Sequence, residues 1–574
     1  MLARENAAAA ASAREYTKRA HGTLPQARPT CRRRSDGERC AVMDHHDLHW
    51  VIGSAVAIAL ASVAGCGGDD ESGNAVAGTG GAGTGGVGGT GANAGGAGSG
   101  GSTQPPPDVE ASGCDIPAPP DLASAATITV GDGTAATCVQ SVLQTALAQG
   151  GTIDFDCGDL PIVISITETL LVRDGTHLDG GGLVTLDGGG AVRILRTENT
   201  SKVIVEGLTF QNGHARKVAG DDDADGSGGA IHRGWQSELY VKDCVFQNNI
   251  ADGDDGFTGG AIFAGSAGWV TIVGSTFTGN RAPSGGATHT VLSDLTVVDS
   301  VFHANQATAG DGGAIYTDGG YVPYQGENGV NDGKITLCGC RFTDNVATNS
   351  AAAGFLYAYG HDQLVINRSE FRNNQVTTSE PGLGGAIRID AVAFVHNTLF
   401  AENDCAGQGG ALWMGRGPAV FENVTFFANH AALWGGAISY SEEPITLDNC
   451  TLAYNVAGEG SDCLFGGEGA TPEVHNSILY ENGDGGESRH CRRPINASNT
   501  LAYPASDDDT CGTALLHEDP LLAEALADNG GFTMTLALGK GSPALGAGTD
   551  CPATDQRGEP RDATHCDLGA FELP

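Results

Sequence analysis

The segment FFANHAALWGGAI, residues 426–438, carries two short motifs one after the other: Phe426-x-x-Asn429, then Gly435-Gly436-Ala437-Ile438. The first recurs as Phe246/Asn249, Phe277/Asn280, Phe302/Asn305, Phe342/Asn345, Phe371/Asn374 and Phe400/Asn403, and with leucine as Leu452/Asn455 and Leu479/Asn482. The second starts at Gly228, Gly259, Gly285, Gly312, Gly384 and Gly409, with a degenerate copy read as Ala353-Gly354-Phe355-Leu356. Paired motifs returning roughly every 25–40 residues are the mark of a solenoid. The repeats fill residues 210–482.

The chemistry between the motifs selects the kind of solenoid. Helical repeats need amphipathic runs of ten or more residues. Here the apolar runs are short, such as Leu239–Phe246, Val270–Phe277, Leu295–Phe302 and Val420–Phe426. They alternate, are rich in β-branched residues and end at Gly, Asn or Asp, which is strand and turn chemistry. The expectation is an all-β parallel β-helix, with Phe stacked on Phe and Asn on Asn from coil to coil about 4.8 Å apart. Gly-Gly supplies the backbone conformations that a Cβ forbids.

The paired Gly-Gly-Ala-Ile and Phe-x-x-Asn motifs resemble the repeats of polymorphic outer-membrane proteins. That resemblance implies a right-handed parallel β-helix. It implies no activity, because the motif residues are architectural.

Composition narrows the function. The formal net charge is −39, from 30 Lys+Arg against 69 Asp+Glu. Such an excess argues against a nucleic-acid partner, whose phosphates require Lys and Arg. It suits an exported acidic surface, and it permits calcium or a cationic partner.

Five segments follow along the chain. Residues 1–66 read as a leader, with Met43 as an alternative start. Its apolar run Trp50–Ala64 is too short to favour a spanning helix and ends in Ser62-Val63-Ala64-Gly65-Cys66. This resembles a bacterial lipoprotein signal, which implies cleavage before Cys66, lipidation of that cysteine and anchorage in the outer membrane. Ordinary secretory cleavage is the alternative. Residues 67–113 are a glycine-dominated tether, a coil spanning about 35–40 Å. Residues 114–209 read as the entry to the solenoid, with a helix at Val139–Ala148 covering the open first coil. Residues 210–482 are the repeats.

Residues 483–574 form the last segment. The line Asn529-Gly530-Gly531-Phe532, then Gly541-Ser542-Pro543-Ala544-Leu545, Asp555-Gln556-Arg557-Gly558 and Cys566-Asp567-Leu568-Gly569-Ala570-Phe571-Glu572 resembles the C-terminal part of the choice-of-anchor Q family. The resemblance implies a small module closing the last coil of an envelope protein. No set of ten-residue amphipathic strands precedes Pro574, so the expected anchor is the N-terminal lipid rather than a membrane barrel.

Sixteen cysteines favour an oxidising compartment. Cys138 and Cys157 bracket the helix and first strand, and Cys551 and Cys566 bracket a compact loop; both are candidate disulfides. Cys244, Cys340 and Cys450 share one phase of the repeat, and small core residues would serve as well there.

Three sets of residues are candidate sites. Arg388 and Asp390 are the catalytic candidates for a polysaccharide lyase or hydrolase of the pectate-lyase-like type, with ordinary surface residues as the alternative. Asp221, Asp223 and Asp225, with Asp252 and Asp254 at the same place one coil later, form two acidic loops whose oxygens suit calcium. The residue after each Gly-Gly-Ala-aliphatic motif makes an outward stripe that includes Phe263, Tyr316, Tyr357, Arg388 and Trp413. Its rings suit the faces of an extended extracellular polysaccharide. The alternative is that they only cover neighbouring turns, or that the phase is inverted and they are buried. The functional expectation is an exported, lipid-anchored surface protein for adhesion or structure, against the rival of a polysaccharide-degrading enzyme.

Overall fold

The computed structural model describes residues 111–574 except 123–125, 219–224, 254–257, 266, 321–332, 358–362, 381, 442, 460–461, 468–470, 484–488, 506–510, 513–514 and 563. The chain winds into a parallel β-solenoid whose strands form sheets of 26, 12 and 9 strands. One coil shows the plan. A long strand, Ser237–Lys242, is followed by a bend and a short strand, Val245–Gln247. A second bend leads to the pair Ile250–Ala251, and a loop through Gly-Gly leads to Ile262–Ala264. These are lanes one to four. Lanes one and two share the largest sheet, lane three is the nine-stranded sheet and lane four the 12-stranded one.

Both bends between the first three lanes use left-handed backbone. Asp243 and Asn248 have φ of 51° and 55°, and the equivalent Asn397, Asn423, Asn449 and Asn476 lie between 48° and 54°. Asparagine tolerates this region, so the frequent Asn and Gly at these places are explained. The Gly-Gly loop has a different reason. Gly409 has φ +72°, and a Cβ on it or on Gly410 would run into carbonyl oxygens of Leu412 and of Gly436 on the next coil.

The core is built in stacks. Phe210, Phe246, Phe277, Phe302, Phe342, Phe371, Phe400 and Phe426 lie ring on ring, with centroids 4.6–5.1 Å apart. Each ring is fully buried, which stabilises by about 1.5–3 kcal/mol per side chain, and each stacked pair adds roughly 0.5–1.5 kcal/mol. Three residues on, the asparagines form an unbroken ladder. Asn345 Oδ1 accepts from the backbone N–H and the Nδ2 of Asn305, both at 3.0 Å. Its Nδ2 donates to Phe302 O at 2.9 Å and to Asn374 Oδ1 at 3.0 Å. The pattern repeats from Asn249 to Asn482, where His490 takes the last amide at 3.3 Å.

Cys244, Cys340 and Cys450 are free and buried on one phase, shared with Ser275, Ser300 and Ser369. Burial pushes the Cys244 and Cys340 thiols up to about 12, so they act as small core residues rather than nucleophiles. Disulfides join Cys138 to Cys157 and Cys551 to Cys566, and also Cys114 to Cys338 and Cys491 to Cys511.

The helix Gln140–Leu147 buries Leu143, Ala146 and Leu147 against the first coil. The other terminus differs from the expected closing module. Residues 517–574 lie along the flank of the solenoid, where Leu536, Leu568 and Phe571 pack with Ala453, Ile478 and Leu501. The bend asparagines hold this segment. Asn423 and Asn476 donate to the carbonyls of Thr554 and Thr549, both at 2.9 Å, and Asn449 to that of Asp567 at 3.1 Å. Arg561 crosses from it to Asn423 Oδ1 at 2.8 Å while pairing with Glu572 at 3.0 Å.

Two outcomes follow from these contacts. Asn345→Ala leaves the buried N–H of Asn305 without its acceptor and takes one donor from the carbonyl of Phe302, and is expected to cost about 1–3 kcal/mol; urea unfolding will show a lower midpoint at unchanged slope. Arg561→Met leaves Glu572 buried and unpaired at about 3–5 kcal/mol, and limited proteolysis will cut within residues 517–574 before the repeats.

Candidate functional site

Lane four alternates inward and outward. Ile231, Ile262, Ile315, Ile387, Leu412 and Ile438 point into the core, so the next residue points out. The strand register sets His232, Phe263, His289, Tyr316, Phe355, Arg388, Trp413 and Ser439 side by side. Tyr357 is not in this file. It pairs with Asp318 and Asp390. The degenerate motif is Ala351-Ala352-Ala353-Gly354, because Gly313, Ala314 and Ile315 donate to the carbonyls of Ala351, Ala352 and Ala353. The alignment is therefore two residues off. A shift of two preserves the strand face, so alternation alone could not detect it. Phe355 takes the place expected for Tyr357.

The file is a continuous ladder. His232 and Phe263 have centroids 5.1 Å apart, Phe263 and His289 5.8 Å, His289 and Tyr316 4.4 Å. Tyr316 and Phe355 stack at 4.6 Å and 8°. The Arg388 guanidinium then lies 4.8 Å from the Phe355 ring and 4.7 Å from that of Trp413, a cation between two aromatic faces. The ring faces are thus turned mainly toward one another along the solenoid.

Outward does not mean exposed. Phe263 and His289 are each 1 % exposed. Thr258, just before Gly259, lies against the imidazole ring, its Oγ1 3.1 Å from His289 Nδ1. Burial drives His289 down to about 3, so its imidazole is neutral. Tyr316, Arg388 and Trp413 are half-buried.

The catalytic candidates come together as an ion pair. Arg388 Nε donates to Asp390 Oδ2 at 2.9 Å, and Asp390 is 4 % exposed. The arginine's two faces and its Nε are all engaged.

Of the calcium candidates, Asp221, Asp223 and Asp254 lie outside the described residues, as does Cys66. Among the described residues of these segments, the Gly253 N–H donates to Gly226 O at 2.8 Å. Asp225 is held by Arg193 at 2.7 Å and by His232 at 3.0 Å. Burial pushes its carboxyl up, but the His232 hydrogen bond and the charges of His232 and Arg193 outweigh this and hold it below the ordinary carboxylate range. Asp252 meets His214 Nε2 at 2.7 Å. Another group able to approach a metal, His177, Asp179 and Glu206, lies on lane one, where Lys242 Nζ already sits 2.6 Å from Glu206.

A cleft that sequence reasoning missed lies where residues 118–120 arch over lane one, lined by Pro120, Glu238, Tyr240, Trp269 and Thr271. Trp269 is 43 % exposed beside it. Its signal was available in the outward phase of lane one, where Trp269 stands next to Glu238.

No family model matches the chain. It is 29 % identical over 300 residues to metabotropic glutamate receptor-like protein Q of Dictyostelium discoideum, covering 44 % of this chain and 22 % of that one. It is 30 % identical over 251 residues to the probable autotransporter YfaL of Escherichia coli K12, covering 42 % of this chain and 16 % of that one. The chain therefore spans about a fifth of the length of these curated relatives. Among solved structures, PfbA, a surface adhesin of Streptococcus pneumoniae, aligns with a TM-score of 0.25 at 10 % identity, over 68 % of this chain and 100 % of that one. Among the described residues no helix is long and apolar enough to cross a membrane. Together the fold and the repeats define a parallel β-helix repeat protein.

The His289 environment gives a pH test. Its folded value of about 3 lies below the ordinary histidine value, so the unfolded chain takes up a proton first as pH falls. Stability is expected to fall from about pH 6.5 toward pH 3, at up to about 1.4 kcal/mol per pH unit for this one group. In His289→Phe the slope will shrink by one proton, measured by urea midpoints across that range.

Proposed function

We propose that the chain is an exported, lipid-anchored cell-surface β-helix protein serving adhesion or structure without catalysis. The outer membrane is its support through Cys66, and an extracellular polysaccharide or other cell-surface ligand is its partner. The observation that carries this reading is the Arg388–Asp390 pair. Its groups are closed on each other between Phe355 and Trp413, inside a ladder of rings that stiffens the rod. A lyase needs a free base near the sugar, and a glycosidase needs two positioned carboxyl groups around a bond. The similarity to a probable autotransporter supports the surface location. Tyr316 and Trp413, half-buried, are the ladder members whose edges a glycan meets.

The test uses the full chain against acidic and neutral polysaccharides, with and without calcium. Reducing ends and unsaturated uronate should stay at background. A retained glycan should bind at least about tenfold more weakly to the Tyr316→Ala/Trp413→Ala double variant, a difference of about 1.4 kcal/mol. Product that disappears in Arg388→Ala or Asp390→Ala would replace this reading with the polysaccharide-degrading enzyme. Retention that needs calcium and is lost in Asp225→Asn would instead place the ligand at the acidic loops.

A further inference from the structure

The described chain begins halfway along the solenoid, not at its end. Residues 111–122 run along the outer flank of lane one, against the direction in which the coils advance. At their start, Ser112 bonds to Asp299 through its N–H at 3.2 Å and through its hydroxyl. Arg368 donates to the carbonyls of Ser112 and Gly113 at 3.2 and 3.0 Å. Cys114 is disulfide-bonded to Cys338 across 224 residues of sequence. Farther on, Tyr240 donates its hydroxyl to Pro117 O at 3.0 Å, and Leu122 packs against Ile204, Tyr240 and Val273. Only then does the chain enter the first strand, Thr127–Gly131.

The strand that ends at Cys338 stands seven pairings from Thr127–Gly131. It stands six pairings from the lane-one strand Asn496–Ser498 at the other end. At about 4.8 Å per pairing these are roughly 34 Å and 29 Å. Whatever precedes residue 111 departs from between these ends.

We propose that the Cys114–Cys338 disulfide sets a mid-flank departure point for the tether, and that the lane-one flank is the face turned toward the lipid surface that anchors the chain. The second half of this proposal rests on reading Cys66 as the lipid-bearing residue. A tether joined at an end would leave one end of the rod free to stand a full rod length beyond its reach. A tether joined at the middle keeps both ends within half that length.

The departure point is measured first in solution, which needs no lipid. Encoded fluorophores are placed in the full chain at Ala111 paired with Val163 in the first coil, or with Asn496 in the last. Similar transfer efficiencies for the two pairs are expected. High transfer to Val163 with little to Asn496 would overturn the proposal. In the Cys114→Ser/Cys338→Ser variant, with its strand signal intact by circular dichroism, the Ala111–Asn496 distance should broaden and lengthen; no change would overturn the role given to the disulfide. Next, the exported full chain is bound to phosphatidylethanolamine–phosphatidylglycerol vesicles carrying an acceptor dye. Donors at Val163 and at Asn496 should transfer equally. Strong transfer from Val163 alone would overturn the side-on orientation. Vesicle binding undiminished in Cys66→Ser would remove the lipid reading while leaving the solution distances standing.

Discussion

Each coil must hand its hydrogen bonds to the next at the same place every time, and the buried asparagine ladder is where this requirement is strictest. An asparagine at this phase is fully buried with both ends of its amide committed to neighbouring coils. No other side chain of that size offers a donor and an acceptor in the plane needed. Because every member depends on the one before and the one after, the register of the solenoid is fixed along its length. The stacked phenylalanines, the left-handed bends and the close Gly-Gly crossings all follow once the coils are held in phase.

Coil lengths vary without disturbing this core. Across the longest repeat, from Phe302 to Phe342, the Phe and Asn files stay intact. The outer lanes were then free to diversify. Lane four is a ladder of rings and one guanidinium, lane one gathers charged groups, and the bends between lanes one and two are docking points for residues 112–113 and for the C-terminal segment. Asp299 and Arg368 receive residues 112–113, whereas Asn423, Asn449 and Asn476 receive the C-terminal segment. Residues 112–113 and the C-terminal segment therefore brace the flank, and the Asp555, Arg557, Arg561 and Glu572 cluster is the internal fastening of the second brace. Arg557 pairs with Asp555 at 2.7 Å, and its guanidinium lies 3.9 Å from the Phe571 ring.

The repeat, the stacked Phe and Asn files, the covering helix and the disulfide partners Cys138/Cys157 and Cys551/Cys566 were legible in the sequence because each is local or periodic. The outward phase of Phe263, Tyr316, Arg388 and Trp413 was legible for the same reason, since alternation has a period of two. Tyr357 shows the limit of that reasoning. Its copy of the motif lacks the glycines, and only the hydrogen bonds from Gly313 to Ile315 settle which residue faces which. Likewise, nothing in a strand pattern says that Thr258 will meet His289 or that Arg388 will close on Asp390.

The parallel β-helix follows from the repeat, because identical Phe and Asn side chains at a fixed phase bury and pair best when stacked coil on coil. Only the folded structure shows where residues 112–114 and the C-terminal segment dock and how the outward side chains are used. Those outcomes depend on contacts between residues far apart in sequence, such as Cys114 with Cys338 and Arg561 with Asn423, and such contacts leave no periodic trace.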